Sequence, residues 1–126
     1  GKEFEVNHNV NKETIKISDY DALILPGGVL NPDKLRECKV SVQLIKDFMD
    51  AKKPIAAICH GPQTLIEAEV VNGKQITSYK SVRKDLENAG AVWIDKDVVV
   101  EGNLITSRTP KDLAKFNKAI LDALKK

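Results

Sequence analysis

Residues 55–62 of this 126-residue chain read Ile55-Ala56-Ala57-Ile58-Cys59-His60-Gly61-Pro62. Four consecutive apolar residues are typical of a strand that is buried on both faces. Proline is favoured at the first position of a helix, so a helix is expected to follow. Cys59 therefore stands at a sharp strand-to-helix turn, with small residues two positions before and after it. This pattern matches the nucleophile elbow, in which serine is the usual residue at the turn.

The elbow indicates that Cys59 is a nucleophile. A sharp turn projects its side chain out of the sheet, and the small neighbours Ala57 and Gly61 let the backbone approach closely. The N terminus of the following helix favours negative charge and is expected to stabilise the reactive thiolate. The alternative is a small, buried hydrophobic residue, because cysteine is among the most buried residue types. The elbow context favours the nucleophile.

His60 has two candidate roles that the sequence leaves open. Its imidazole is a candidate general base, but consecutive side chains at such a turn tend to diverge, so the ring need not reach the Cys59 sulfur. Its backbone N–H directly follows the nucleophile, where an oxyanion-hole donor is expected. A role for the side chain away from the sulfur or at an interface is the remaining alternative.

Gly27 and Gly28 are predicted to complete the oxyanion hole. They follow an apolar run at residues 21–25, which is predicted to be a buried strand. Glycine at the carboxyl end of a strand lets a backbone N–H come close to a reacting oxygen. The alternative is a plain turn, and the elbow elsewhere in the chain favours the functional interpretation.

The whole chain alternates short β-branched runs with amphipathic stretches, which is typical of an α/β domain with a mostly parallel sheet. The pattern predicts strands at residues 2–6, 21–25, 54–58 and 75–77, and a hairpin at 98–106. Helices are predicted before Pro54, at residues 61–71 and 82–89, and after a Thr109 cap.

The order of these elements differs from the usual doubly wound sheet, which begins with its central strand. Residues 2–6 alternate in polarity and suit an edge strand, and nothing before Asp21 is apolar enough for a central one. Either the sheet is small, or an N-terminal βαβ portion is missing from this chain. In the second case the strand at 21–25 presents an unprotected apolar edge.

Composition restricts the class of protein. Hydrophobic residues make up 42% and charged residues 30%, and the net charge is +2 with the signs interspersed. No stretch is long enough to span a membrane, and no basic footprint for nucleic acid is present. Two cysteines suit a reducing compartment, and Cys38, in a charged stretch, is interpreted as incidental. We expect one cytoplasmic domain over residues 1–126, with no metal or other cofactor.

Five segments together resemble the PfpI-type intracellular proteases, within the larger DJ/PfpI superfamily that also holds glyoxalases and protein deglycases. The most specific is Ala57-Ile58-Cys59-His60-Gly61-Pro62. The others, in chain order around it, are residues 20–28, 76–79, 83–91 and 102–108. The resemblance therefore covers nearly the whole chain from Asp19 onward.

The resemblance implies a flavodoxin-like three-layer sandwich with Cys59 as nucleophile. It also implies backbone oxyanion contacts from Gly28, or Gly27, and from His60, and it places Tyr79 facing the site. In PfpI-like members the histidine after the cysteine has been assigned to a triad with an acid from a neighbouring subunit. A homo-oligomer, dimeric or larger, is expected.

This chain departs from the family pattern at its start, at Lys80, and at Thr109, where the family prefers glycine. Family members begin with a strand, a turn that carries a glutamate and a helix, all ahead of the point where this chain starts. Neither Glu3, Glu5 nor Glu13 matches that motif, so the N-terminal strand-helix segment is expected to be missing. Lys80 occupies a position where proline is common, and it is expected to alter the rim of the pocket.

The predicted function is that of a cysteine-dependent enzyme, with two chemistries left open. The thiolate attacks either a peptide carbonyl, as in a peptidase, or the aldehyde of methylglyoxal or a glycated protein adduct, as in a glyoxalase or deglycase. A small, shallow elbow pocket favours the aldehyde slightly. The competing class is a redox-sensing or chaperone-like stress protein that uses the same cysteine without turnover.

Overall fold

The computed structural model describes residues 16–126 of the chain. Its main sheet has four strands, β1 (Leu23–Leu25), β2 (Ile55–Ile58), β5 (Val98–Glu101) and β6 (Leu104–Ser107). Their spatial order is β1-β2-β6-β5, with β1, β2 and β6 mutually parallel and β5 antiparallel to β6. The carboxyl ends of three parallel strands therefore meet at one edge of the sheet.

Helices cover both faces of this sheet. On one face lie α1 (Leu30–Glu37), α2 (Lys39–Asp50), α3 (Pro62–Glu67) and α4 (Arg83–Asn88), and on the other lies α5 (Leu113–Leu124). Alternate residues of β2 point to opposite layers: Ile55 and Ala57 join the larger core, and Ala56 and Ile58 pack with α5. The predicted flavodoxin-like three-layer α/β sandwich with a mostly parallel sheet is confirmed.

The strongest sequence patterns are confirmed in detail. All four residues of β2 are buried, as their continuous apolar run predicts. The predicted helix before Pro54 is α2, which buries Ile45 and Phe48 completely. The hairpin between β5 and β6 turns at Gly102, whose φ of +60° is one that glycine adopts without strain.

The predicted buried strand at residues 21–25 is wrong in its length and its burial. Strand β1 has three residues, and the side chain of Ile24 is 54% exposed. The physical reason is that, within residues 16–126, β1 pairs with β2 alone and is an edge strand. The strand predicted at residues 2–6 lies outside the described residues.

Two local predictions are corrected, and one short strand was missed. Helix α3 ends at Glu67 and not near residue 71, because the chain turns through Glu69 with φ at +59°. Thr109 makes no side-chain capping bond, and a short 3-10 turn, Pro110–Asp112, precedes α5. A two-residue strand β4 (Val92–Trp93) pairs in parallel with β3 (Gln75–Ile76) and was not predicted.

In the part of the chain from residue 16 onward, no helix is long and apolar enough to cross a membrane. The longest helices, α2 and α5, each have 12 residues. Each buries one face against the sheet, which is the amphipathic pattern of a surface helix in a globular domain.

An ion cluster ties the end of β6 to its surroundings. Arg108 follows β6 directly and donates to Asp95 at 2.8 Å, to Asp112 at 3.0 Å and to Asp97. Asp97 also pairs with Lys115 in α5, and its backbone carbonyl accepts a bond from the Ser107 hydroxyl. The cluster therefore joins the start of β5, the end of β6 and helix α5.

Asp97→Asn tests this cluster. Hydrogen bonding to Lys115, with a smaller contribution from Arg108, lowers the pKa of Asp97 from its ordinary value. Because the pKa is lower when folded, the carboxylate stabilises the fold above its unfolded pKa of about 3.9, and this contribution is lost as the pH falls through the folded value. The variant should therefore be less stable than wild type at neutral pH, and by a smaller margin at about pH 3, below the unfolded pKa.

Urea unfolding at both pH values measures the difference. Asp21→Asn is the matched control, because Asp21 is exposed and forms no ion pair within residues 16–126. A stability difference for Asp97→Asn that is the same at both pH values would contradict the assignment.

Candidate active site

Three loops converge at the carboxyl edge of the sheet. They follow β1 at residues 26–28, β2 at residues 59–61 and β6 at residues 108–109. Parallel strands place these loops side by side, which is why ligand sites in open α/β sheets lie at this edge. The predicted nucleophile and the predicted glycine loop are brought together here.

Cys59 has the backbone of a nucleophile elbow. Its φ is +63°, a left-handed conformation that residues with a side chain rarely adopt. The turn is held on both sides: the Cys59 N–H donates to the Ser107 carbonyl at 3.1 Å, and the Cys59 carbonyl accepts from the Tyr79 N–H at 2.9 Å. Cys59 is partly exposed, so the alternative of a fully buried hydrophobic residue does not describe it.

Two glycines make room for this turn. A Cβ on Gly61 would lie 2.5 Å from the Leu25 carbonyl oxygen. A Cβ on Gly27 would lie 2.8 Å from the Cys59 Cβ and 3.5 Å from its sulfur. Glycine is therefore required at both positions by close approach between the β1 and β2 loops.

Backbone donors are available beside the sulfur. Gly28 adopts φ of +84° with open space around its Cα, and His60 follows the nucleophile in the chain. Neither N–H donates a hydrogen bond to another group within residues 16–126. Such N–H groups are what an oxyanion hole requires, and the predicted donors remain candidates for it.

The His60 ring lies against the nucleophile. Its Nδ1 is 3.3 Å from the Cys59 Sγ, so the expectation that these neighbouring side chains diverge is wrong. Two contacts hold the ring there: its Nε2 lies 3.3 Å from the Ser81 Oγ, and it stacks on Tyr79 with centroids 5.0 Å apart. This distance permits the candidate role of His60 as a general base for the Cys59 thiol.

A cavity of about 280 Å³ has Tyr79 in its wall. Because Tyr79 also stacks on His60, the cavity adjoins the pair formed by Cys59 and His60. Neither Cys59 nor His60 lines the cavity. Lys80, which was predicted to alter the rim, is among the lining residues, and its effect there stays a prediction. The lining consists of Ser78, Tyr79, Lys80, Trp93, Asp95, Arg108 and Thr109.

Trp93 gives the cavity an aromatic wall that the sequence analysis missed. Its Nε1–H donates to the Ser78 hydroxyl at 3.0 Å, and the Arg83 guanidinium lies 5.0 Å from the centre of its ring. Ser81 was missed as well, because serine in a short polar loop carries no signal that it will meet a histidine 21 residues earlier. Arg108 lies in one of the segments that resemble the family, residues 102–108, but the sequence analysis gave it no role.

Cys38 lies apart from this arrangement, in the chain position between α1 and α2. Hydrogen bonding with the side chain and backbone of Ser41 lowers the pKa of the Cys38 thiol from its ordinary value. A thiol with a lowered pKa reacts with alkylating agents, so measurements on Cys59 need a Cys38→Ser background. No group of three or more His, Cys, Asp and Glu residues within 16–126 is arranged to hold a metal ion.

Comparison with known proteins identifies the family. The family model described as DJ-1/PfpI matches residues 1–123. The chain belongs to the DJ-1/PfpI family. Among curated relatives, Bacillus subtilis "Putative cysteine protease YraA" is 51% identical over 88% of this chain and 65% of its own length. General stress protein 18 of the same organism is 49% identical over 97% of the chain and 71% of its own length.

The name deglycase also occurs among the relatives. Deglycase PfpI of Pyrococcus furiosus is 39% identical over 97% of this chain and 73% of its own length. The chain thus spans between about two-thirds and three-quarters of the length of these DJ-1/PfpI proteins.

Solved structures share the fold. The structure of a two-domain protein with DJ-1/ThiJ/PfpI-like and ferritin-like domains from Anabaena variabilis superposes with a TM-score of 0.87. The two sequences are 47% identical, and the match covers 91% of this chain and 32% of the Anabaena chain. Drosophila melanogaster DJ-1beta gives a TM-score of 0.79 at 33% identity, over 87% of this chain and 61% of its own.

Replacing Cys59 tests the strain at the elbow. A left-handed backbone costs a residue with a Cβ about 1–2 kcal/mol. Cys59→Gly is therefore expected to be more stable than Cys59→Ala, by about 1 kcal/mol in the free energy of unfolding measured with urea. Ala114→Gly in exposed, right-handed α5 is the control and should lose about 1 kcal/mol. If alanine were more stable than glycine at position 59, as it is expected to be at position 114, the elbow would not be strained.

Gly27→Ala tests the close approach of the two loops. The new methyl group meets the Cys59 Cβ, so overpacking should cost about 1–3 kcal/mol and displace the thiol. Alkylation of Cys59 by iodoacetamide, in a Cys38→Ser background, should slow. Gly102→Asn is the control, because asparagine tolerates positive φ and Gly102 lies in the β5–β6 turn, with open space around its Cα. Unchanged alkylation in Gly27→Ala would show that the loops do not crowd the thiol.

Proposed function

We propose that this protein is a cysteine-dependent enzyme that acts on small aldehydes, methylglyoxal and fresh glycation adducts among them. The observation that carries the proposal is the pairing of Cys59 and His60 at 3.3 Å on a strained elbow. A thiol beside an imidazole is the arrangement of an activated nucleophile with its base. The deglycase name of several relatives supports the aldehyde as substrate.

The first step forms a hemithioacetal. His60 Nδ1 takes the thiol proton, and the sulfur attacks the aldehyde carbon, so that an S–C bond forms and the C=O electron pair moves to oxygen. The resulting oxyanion is held by the N–H groups of His60 and Gly28 or Gly27. Proton transfer to this oxygen completes the adduct without an oxidant or a metal-bound intermediate.

The following steps convert methylglyoxal and water into lactate. Moving hydrogen from the hemithioacetal carbon to the adjacent carbonyl carbon gives a thioester, and this transfer needs a base beside the adduct. Water then cleaves the thioester, releases lactate and restores the thiol. His60 is the base proposed here, because no carboxylate of residues 16–126 forms an ion pair or hydrogen bond with either Cys59 or His60.

The surroundings of the pair favour a small substrate over an extended peptide. Gly27 lies against the thiol, and Tyr79 stacks beside the imidazole. The adjoining cavity of about 280 Å³ is slightly smaller than the usual range for small-molecule pockets. It offers aromatic walls and the Lys80 ammonium to the part of an adduct that extends beyond the reacting carbonyl.

Turnover of methylglyoxal without glutathione tests the proposal. Lactate formation is measured by proton NMR in a Cys38→Ser background. Cys59→Ser should reduce it to the rate in buffer, and His60→Gln should reduce it by about 100-fold or more, the usual contribution of a general base. Circular dichroism checks that both variants fold.

Other outcomes identify the competing functions. Cleavage of casein that Cys59→Ser abolishes, without lactate, would replace the aldehyde with a peptide as substrate. Oxidation of Cys59 at low peroxide, with neither activity, would instead indicate a redox-sensing protein. Lactate formation at the same rate in Cys59→Ser would overturn the role of the cysteine.

A further inference from the structure

We propose that a second cavity in the protein binds a small amphipathic carboxylate, a molecule with an acidic head and an alkyl chain. This amino-edge cavity has a volume of about 730 Å³, and its lining includes the residues directly before three strands, Pro54, Lys74 and Asn103. The amino ends of the parallel strands β2 and β6 lie at the edge of the sheet opposite Cys59. The inference goes beyond the proposed function, because this cavity shares no residue with the candidate active site.

The amino-edge cavity has an apolar wall. Ala119 and Ala123 lie one turn apart on α5 and face the cavity together. Val100 is 54% exposed, and Met49 and Pro54 complete the apolar lining. An alkyl chain placed against this wall leaves water, which is favourable. The volume lies within the range of about 300–1,000 Å³ that is usual for small-molecule pockets.

The same cavity carries unpaired positive charge. Lys52, Lys74 and Lys126 belong to its lining, and within residues 16–126 none of them forms an ion pair. Among the described residues no arginine lines the cavity, and arginine is the side chain that matches phosphate in a bidentate geometry. A singly charged carboxylate therefore suits this lining.

Two carboxylates of this region leave the lysines unpaired. Asp122, which lines the cavity, lies 3.6 Å from Lys118. Glu101 precedes the lining residue Gly102 in the chain, and its carboxylate accepts a hydrogen bond from the Gln75 N–H at 3.4 Å. The lining thus has more ammonium groups than carboxylates, and charge complementarity selects an anionic head.

Asn103 ties the walls of the cavity together. Its Nδ2 donates to the Lys53 carbonyl at 2.8 Å and lies 3.5 Å from the Met49 sulfur. Its own carbonyl accepts from the Ile55 N–H at 2.9 Å. The end of α2 and the starts of β2 and β6 are therefore held in one arrangement without a ligand.

Lys52 supplies its charge from a strained position. It follows α2 with φ at +57°, and its N–H donates to the Met49 carbonyl at 3.0 Å. Glycine is the usual residue in a left-handed conformation after a helix, because a side chain is strained there. Lys52→Gly should therefore stabilise the fold and remove a ligand contact, which separates a binding role from a structural one.

Met49 is a reporter inside the cavity, because it is the one methionine of the chain. The full chain is labelled with carbon-13 at the methionine methyl group and titrated with octanoate, whose addition should shift the single resonance to saturation. Octanamide should bind at least about fivefold more weakly, because it lacks the charge. Butyrate should bind at least about tenfold more weakly, because its shorter chain removes less apolar surface from water.

Variants locate the charge that holds the carboxylate. Lys74→Gln should weaken octanoate binding about twofold to fivefold and leave octanamide unchanged. Lys52→Gly should weaken octanoate binding similarly while its midpoint of urea unfolding rises. Lys111→Gln is the matched control, because Lys111 is an exposed lysine outside the lining. It should bind octanoate as wild type does.

Several outcomes would overturn the inference. A shift that never saturates would mean that no site exists, and equal affinities for octanoate and octanamide would remove the role of charge. Butyrate binding as tightly as octanoate would leave an anion site without an apolar part, and tighter binding of octyl phosphate would replace the carboxylate. An equal loss in Lys111→Gln would reduce the effect to net charge. Lactate formation enters none of these measurements, so failure of the proposed function would leave the result standing.

Discussion

The close approach of the loops after β1 and β2 is the constraint on which the site depends. Parallel pairing of these strands puts Leu25 and Ala57 side by side and leaves almost no space beyond them. The chain passes through this space because Gly27 and Gly61 have no side chains, and because Cys59 turns with positive φ. The strain is local, and the bonds from Cys59 to Ser107 and Tyr79 compensate for it. The Cys59 thiol is thereby placed at the carboxyl edge of the sheet.

The second requirement is an imidazole in contact with that thiol. Neighbouring side chains in an extended chain point apart. At the elbow the backbone turns at Cys59, and the side chains of Cys59 and His60 lie together. The stack on Tyr79 and the bond to Ser81 then hold the His60 ring. All of these contacts come from the segment after β3, whose backbone is tied to the elbow through Tyr79. The hydrogen bond from the Tyr79 N–H to the Cys59 carbonyl therefore positions the Tyr79 ring, which lines the cavity and stacks on His60, together with the Ser81 hydroxyl.

The ion cluster around Arg108 fixes another part of the cavity wall. Arg108 and Thr109 follow β6 and line the cavity. Three carboxylates, two before β5 and one before α5, hold Arg108. Membership of the DJ-1/PfpI family agrees with this arrangement of loops on a parallel sheet. Lys80 and Trp93 line the cavity next to Tyr79.

Sequence alone determined the elements with continuous local patterns. The apolar run of β2, the apolar face of α2, the turn at Gly102 and the elbow at Cys59 all follow from near neighbours in the chain, so each was predicted. Tertiary structure decided what depends on distant pairing. Ile24 is exposed because β1 is an edge strand within the described residues, and Val92 and Trp93 form a strand because β3 lies beside them. Ser81 meets His60 because two loops far apart in sequence are joined through one backbone bond, and no local pattern encodes that contact.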